Sequence, residues 1–229
     1  MAIKNLKPRL RSSALKQLTE RLKDARRLVE IHEECTGRKR GRRHGYDALN
    51  RSAVVLSVAA WEGFIEDLFV DAVEFIAKHV KGPKKIPENV RVAMIAHLYQ
   101  VGGWSSLNST TSRAIWSLTG TGWRQQFQEY GLSKIKAINT PSFKNLKKVS
   151  NSVIGLHDPA SNWRAHRWSP AVYRSKLEDI LELRHKIAHG ALGNRTVGKA
   201  KAREAITIIN RLGFWTMRGV RHHAGRLIR

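Results

Sequence analysis

Arg184 and His189 bracket the segment Arg184-His185-Lys186-Ile187-Ala188-His189, and they are the pair in this chain best suited by type and spacing to act on a phosphodiester. A histidine can take the proton from a ribose 2′-hydroxyl or give one to a departing 5′-oxygen, and an arginine fork can hold the charge that develops on the phosphoryl oxygens. Together they suffice to cleave RNA without a metal ion, whereas DNA lacks the internal nucleophile. His185 and His189 lie four residues apart, about 40° around a helix, so their rings share a face that also carries Glu178 and Glu182.

The element that must position them is a helix opened by Ser169-Pro170, with serine as cap and proline in the first turn, and stopped by Gly190. At about 100° per residue, Tyr173, Leu177, Ile180, Leu181, Ile187 and Ala188 fall on one face, and Arg184, one heptad after Leu177, falls in the middle of it. A guanidinium there is costly unless it is paired or faces an anion. On one ideal helix Arg184 and His189 are about 140° apart. Either the last turn loosens, or another element or a second chain completes the groove.

The rest of the chain reads as helices. An amphipathic stretch from about Ser12 to Glu34 has Ser12 or Ser13 to cap it, and a long helix over 46–81 is apolar nearly all round in Ala53-Val-Val-Leu-Ser-Val-Ala-Ala-Trp61. Gly82-Pro83 ends the long helix, and Pro87 opens another that runs to about Gln100. Over 101–122 the signal is poor, with a short helix expected near Arg113 to Leu118. Further short helices follow at Trp123 to Gly131 and from Thr140-Pro141, Thr140 being the expected cap. Thr196 is the expected cap of a last helix carrying Ala202, Ala205, Ile206, Ile208, Ile209, Leu212, Phe214 and Trp215. Nothing alternates like a strand, so the fold class is all-α. The organisation expected is one helical domain over 1–229, with core helices at about 46–81, 170–190 and 196–217, an insert at about 82–168 and a basic loop at 36–45.

The chain has 42 Lys and Arg against 18 Asp and Glu, a formal charge of +24, which favours a polyanionic partner. The densest basic patch is 36–45, where Arg38, Lys39, Arg40, Arg42 and Arg43 would attract phosphate in general, as would Lys186 beside the histidines. The longest apolar run is too short for a membrane span, and the N-terminus lacks the apolar core of an export signal. Cys35 is the only cysteine, which excludes an internal disulfide and a thiol-rich metal site and suits a cytoplasmic protein. The pair His222-His223 has no carboxylate or cysteine at ligand spacing. Neither a metal nor a cofactor is expected.

Arg184-His-Lys-Ile-Ala-His189-Gly190 resembles the HEPN signature, an Arg, a polar residue, three variable residues and a His. Two more stretches resemble the branch called RiboL-PSP-HEPN. They are Leu49-Asn-Arg-Ser-Ala-Val-Val-Leu-Ser-Val-Ala-Ala-Trp-Glu62, and Ile138 to Lys148 followed by Gly155-Leu156 and Trp163. The resemblance implies an antiparallel helical bundle that dimerises so that two signatures face each other across a cleft. It also implies metal-independent RNA cleavage to 2′,3′-cyclic phosphate and 5′-hydroxyl ends, in bacterial or phage toxin and defence systems; the partners expected are RNA, a second copy of the chain and a neutralising antitoxin protein. Arg184 maps to the phosphate-stabilising arginine and His189 to the catalytic histidine. His185 fills the polar position, where Asn is commoner, in a supporting role. The alternative within the family is a non-catalytic RNA-binding module acting through a partner; outside it, a basic DNA-binding or membrane-surface protein.

Trp61 is read as core packing. Glu62, in so apolar a helix, is a helix-surface carboxylate that could reach the cleft and orient Arg184 or a histidine. The tryptophans at 104, 116, 123, 163, 168 and 215 are read mostly as core or interface.

Overall fold

The computed structural model describes residues 8–36, 46–101, 118–164, 168–193 and 196–229. Among these residues the regular structure is seven α-helices: α1 (Ala14–Thr36), α2 (Asp47–His79), α3 (Glu88–Val101), α4 (Trp123–Lys136), α5 (Phe143–Ile154), α6 (Pro170–Ala188) and α7 (Lys199–Leu227), with a 3-10 turn at Pro83–Lys85. The all-α class expected from the periodicity is the class observed.

The long apolar helix is the hub. α2 packs against α1, α4, α5, α6 and α7, and α1 makes the most extensive of these contacts. The reason is visible in its sequence: Ala53, Val54, Val58, Trp61, Phe64, Ile65, Leu68, Phe69, Ala72, Val73 and Ile76 are all fully buried. Each large side chain among them contributes about 1.5–3 kcal/mol by leaving water. α1 lies on it through Leu18, Leu22, Ala25 and Val29, at steps of four, three and four, and the Ser12 hydroxyl accepts a hydrogen bond from the Ala14 N–H (3.1 Å) as the start cap. Its approach to α7 is close because Gly213 has no Cβ; one there would sit 2.2 Å from Leu18 Cδ2.

Trp61 is core, as read. Its indole N–H donates to the Pro141 carbonyl (2.9 Å), and its ring lies edge-on to Trp163, whose own N–H donates to Thr216 (3.0 Å). These contacts tie α2 to the chain before α5, and the segment before α6 to α7. No described helix is long and apolar enough to cross a membrane.

Three start and stop signals work differently from the sequence expectation. Ser142, not Thr140, caps α5, its hydroxyl accepting from the Asn145 N–H (3.3 Å); Pro141 stays outside because its carbonyl serves Trp61. Gly198 rather than Thr196 occupies the start of α7, without a side-chain cap. That helix continues to Leu227, ten residues past the expected end at 217. Met217, Val220 and Ala224 keep its buried face apolar, at steps of three and four, while the arginines between them dominate the composition and hide the period. Phe214 turns outward, 49% exposed, and Trp215 is half-buried. The short helix expected near Arg113 to Leu118 falls almost entirely outside the described residues.

Candidate active site

The Ser169 hydroxyl caps α6 by accepting from the Val172 N–H (3.5 Å), and Pro170 fills the first turn. Tyr173, Leu177, Ile180 and Leu181 are buried against the bundle, which docks the helix on α2 and α7. Beyond Leu181 the apolar face comes out to the surface: Ile187 is half-buried and Ala188 exposed.

Regular helix ends at Ala188. His189 is the C-cap at φ −97° and ψ 9°, with its N–H still bonded to the His185 carbonyl (3.0 Å). Gly190 then takes φ +65°, which lets its own N–H reach Ile187 O (3.3 Å) and the Ala191 N–H reach Lys186 O (2.9 Å). This is the glycine-terminated C-cap that satisfies the last carbonyls of a helix. The angle computed for an ideal helix therefore stops applying at His189.

Arg184 is half-buried, and among the described residues its side chain has neither an ion pair nor a hydrogen bond. What faces it electrostatically is Glu62, in the middle of α2. Burial pushes the Glu62 carboxyl above the usual carboxylate range, the Arg184 guanidinium draws it back down, and Glu66 one turn along adds to the rise. Glu62 thus lies within range of the Arg184 charge, with no ion pair or hydrogen bond between the two. Val55 and Ala59, seven and three residues before Glu62 on α2, are half-buried and exposed, so the apolar all-round helix leaves an open strip leading to the carboxylate. His185 and His189 are both exposed and their ring centroids stand 4.3 Å apart.

Other residues singled out from the sequence have other surroundings. Lys186 is paired with Glu182 (2.6 Å) and lines a groove with Asp179, Leu192 and Lys201; two residues from Arg184, it projects about 160° away around the helix. Glu178, expected on the histidine face, uses its carboxylate to accept the Phe143 N–H (2.8 Å) at the start of α5. Arg38, Lys39, Arg40, Arg42 and Arg43, together with Trp104 and Trp116, lie outside the described residues. His223 is buried, donates from Nε2 to Ile154 O (2.8 Å) and accepts from Arg226 at Nδ1 (3.1 Å), which occupies both ring nitrogens. Among the described residues, no three His, Cys, Asp or Glu side chains are grouped to hold a metal ion.

One feature has no counterpart in the sequence reading: a basic cavity at the far end of α7, built partly from the stretch beginning at Arg218, beyond the expected end of that helix. The unpaired density of arginine there was the available signal.

Compared with known proteins, residues 16–213, from α1 into α7, match the family model described as RiboL-PSP-HEPN. No curated protein and no solved structure matches the chain significantly.

Proposed function

Because the chain belongs to the RiboL-PSP-HEPN branch of the HEPN superfamily, a nuclease and RNA-binding family, we propose that it is an endoribonuclease working without a metal ion through Arg184 and His189. The observation that carries this reading is the state of Arg184. Among the described residues it is a half-buried guanidinium without an acceptor, in charge range of the Glu62 carboxylate, with the two exposed imidazoles further along the same helix.

In this reading His189 takes the proton from the ribose 2′-hydroxyl, and the freed oxygen attacks the adjacent phosphorus. The bond from phosphorus to the 5′-oxygen breaks, a protonated histidine supplies the proton that the leaving oxygen needs, and the products carry a 2′,3′-cyclic phosphate and a 5′-hydroxyl. Arg184 receives the charge on the phosphoryl oxygens through its fork. His185 supports the ring of His189, and Glu62 acts as a positioning residue for Arg184.

A second copy of the chain completes the cleft. Support comes from the exposure of the end of α6 and from the open strip of Val55 and Ala59 beside Glu62, surfaces that a facing copy would cover. The basic residues between 38 and 43 and the overall charge hold the RNA by its phosphates. The family's association with toxin and defence systems extends the proposal to an effector kept in check by a neutralising protein.

The test is to incubate the purified protein with end-labelled RNA in excess EDTA and to examine the product ends. Cyclic phosphate and 5′-hydroxyl ends, lost in Arg184→Ala and in His189→Ala, are the expected result. Absence of cleavage, or cleavage that both substitutions leave intact, defeats the enzyme reading; salt-sensitive RNA binding without cleavage would point instead to a binding module acting through a partner.

A further inference from the structure

At the C-terminal end of α7, Arg218, Arg221, His222 and Arg229 surround a cavity of about 740 Å³ together with Arg9 from the N-terminal segment and Lys81 from just beyond α2. No acidic residue lines it. Pro8, Leu10 and Ile228 add the apolar lining between the cationic groups, Leu10 buried and Ile228 half-buried.

With cations outnumbering carboxylates in the chain, carboxylate partners are limited, and those present are used at other places on the surface. Arg21 is paired with Asp67, Arg27 with Glu34, Arg174 with Asp158 and Lys176 with Glu204. Among the described residues, the five lysines and arginines of the cavity have no ion pair. The Nε atom of Arg221 is shielded from solvent and has no hydrogen-bond acceptor among the described residues, an orphan donor that is costly unless something satisfies it. Burial, and then the neighbouring charge of Arg9, reduce the basicity of Arg221, so the two guanidiniums feel each other across the cavity.

Position separates this cavity from the candidate active site. Glu62 and the end of α2 at His79 are seventeen residues apart, roughly 25 Å along the helix, and Lys81 lies beyond that end. The α7 wall from Arg218 onward also falls outside the stretch that matches the family model.

We propose that this cavity is a phosphate-binding site that takes a ligand presenting several phosphate groups close together. Like-charged guanidiniums facing one another are stabilised by a shared polyanion, the planar arginine forks fit phosphate oxygens bidentately, and the volume lies in the range of small-ligand sites. The phosphates can come from an RNA strand running along the bundle or from a free polyphosphorylated small molecule. The chemistry of recognition is the same.

The experiment titrates inorganic tripolyphosphate, and separately an unstructured RNA strand, into the full chain at fixed low salt. It compares wild type with the double variant Arg9→Gln/Arg218→Gln, with Arg221→Gln and with Arg184→Ala. Arg9 and Arg218 are exposed, so the double variant keeps its fold. Tripolyphosphate is expected to bind wild type at one site per chain and to bind the double variant and Arg221→Gln about tenfold more weakly or worse, with Arg184→Ala unchanged. If RNA binding also weakens in the double variant, and its salt dependence falls by about 1.4 in log–log slope for two lost contacts, the strand is the source. If RNA binding holds while tripolyphosphate binding is lost, the source is a free polyphosphate. No binding of tripolyphosphate by wild type, an affinity in the double variant within twofold of wild type, or its loss in Arg184→Ala overturns the assignment. Because the readout is binding, a failure of RNA cleavage leaves this result standing, and the reverse holds as well.

Discussion

The Glu62 carboxyl on α2 faces the Arg184 guanidinium on α6 in range of its charge but beyond ion-pair contact. Burial raises the affinity of Glu62 for its proton and Arg184 lowers it. Arg184 therefore helps to set the state of Glu62 across the interface on which α6 is docked. In the proposed reaction a guanidinium already paired with Glu62 would have less to offer a phosphate.

The first consequence concerns stability against pH. Glu62 holds its proton more tightly in the folded chain than at the unfolded value of 4.5, so between that value and the raised one the folded state binds more protons than the unfolded. Stability accordingly falls as pH rises through this window, and above it the ionised Glu62 is a net cost. Glu62→Gln is expected to raise the melting temperature at neutral pH and to leave it unchanged below 4.5. Because Glu62 is partly solvated, the gain is less than about 1 kcal/mol. Melting curves across pH decide it: identical profiles for wild type and variant would show that the burial of Glu62 has no energetic consequence. RNA cleavage should fall in the same variant even as stability rises.

Gly190 gives a second prediction, and here sterics are absent. A Cβ built on it meets nothing within 4 Å, yet its φ is +65°. The cost of Gly190→Ala is therefore conformational, about 1–2 kcal/mol, or a melting temperature lower by about 2–8 °C. Asparagine tolerates this backbone better, so Gly190→Asn should cost less. Cleavage should drop further than the lost stability explains, because the same turn sets the position of His189. Equal losses in alanine and asparagine variants would mean that the backbone relaxes out of the left-handed region.

How much of this was legible beforehand depends on which interactions are local. The helices α1, α2 and α6 could be read because their apolar steps and their caps, such as Ser169-Pro170 and Gly190, lie within a few residues of the elements they define. The start of α5 could not, because the choice between Thr140 and Ser142 is made by Trp61, about eighty residues earlier in the chain, which takes the carbonyl of Pro141. The end of α7 was obscured because its basic residues outnumber the apolar ones that keep it on the bundle. At the site, the segment from Arg184 to His189 announced itself, and Glu62 could be suspected from one carboxylate in an apolar run. That Glu178 leaves the histidine face for the Phe143 N–H is a tertiary fact with no local sign.

His223 supplies a third prediction, with the opposite sign to Glu62. Its ring donates to Ile154 O and accepts from Arg226, an arrangement available only to the neutral form. Burial chiefly, with the charges of Arg226, His157 and His222 adding, holds it below the ordinary histidine value of 6.5, against the pull of the Ile154 hydrogen bond. Below 6.5 the unfolded chain takes up the proton first, so stability is full above that value and is lost as pH falls through the lower folded one. His223→Gln keeps an N–H for the last carbonyl of α5 and should cost about 1 kcal/mol at pH well above the window while flattening the acid limb. His223→Ala leaves that carbonyl unsatisfied and should cost about 1–3 kcal/mol above the window, the difference from wild type narrowing as pH falls through it. Urea unfolding at a series of pH values measures both; parallel acid limbs in wild type and His223→Gln would assign the loss to other groups.

The last prediction separates charge from geometry at Arg184. Lysine keeps the positive charge but replaces a planar fork, able to hold two phosphoryl oxygens at once, with a single ammonium. If the role of Arg184 is to receive charge that develops on both oxygens, Arg184→Lys should lower the rate constant for RNA cleavage by about 10²–10³, near the loss in Arg184→Ala, while RNA affinity stays close to wild type. The lysine still draws the Glu62 carboxyl down, so the Glu62 titration, followed by carbon NMR, should shift less in Arg184→Lys than in Arg184→Ala. Single-turnover cleavage and strand binding measured on the same preparations distinguish the cases. A lysine variant that cleaves like wild type would reduce Arg184 to a bulk charge, and one that loses RNA affinity in proportion to rate would make it a binding residue whose contact forms before the transition state.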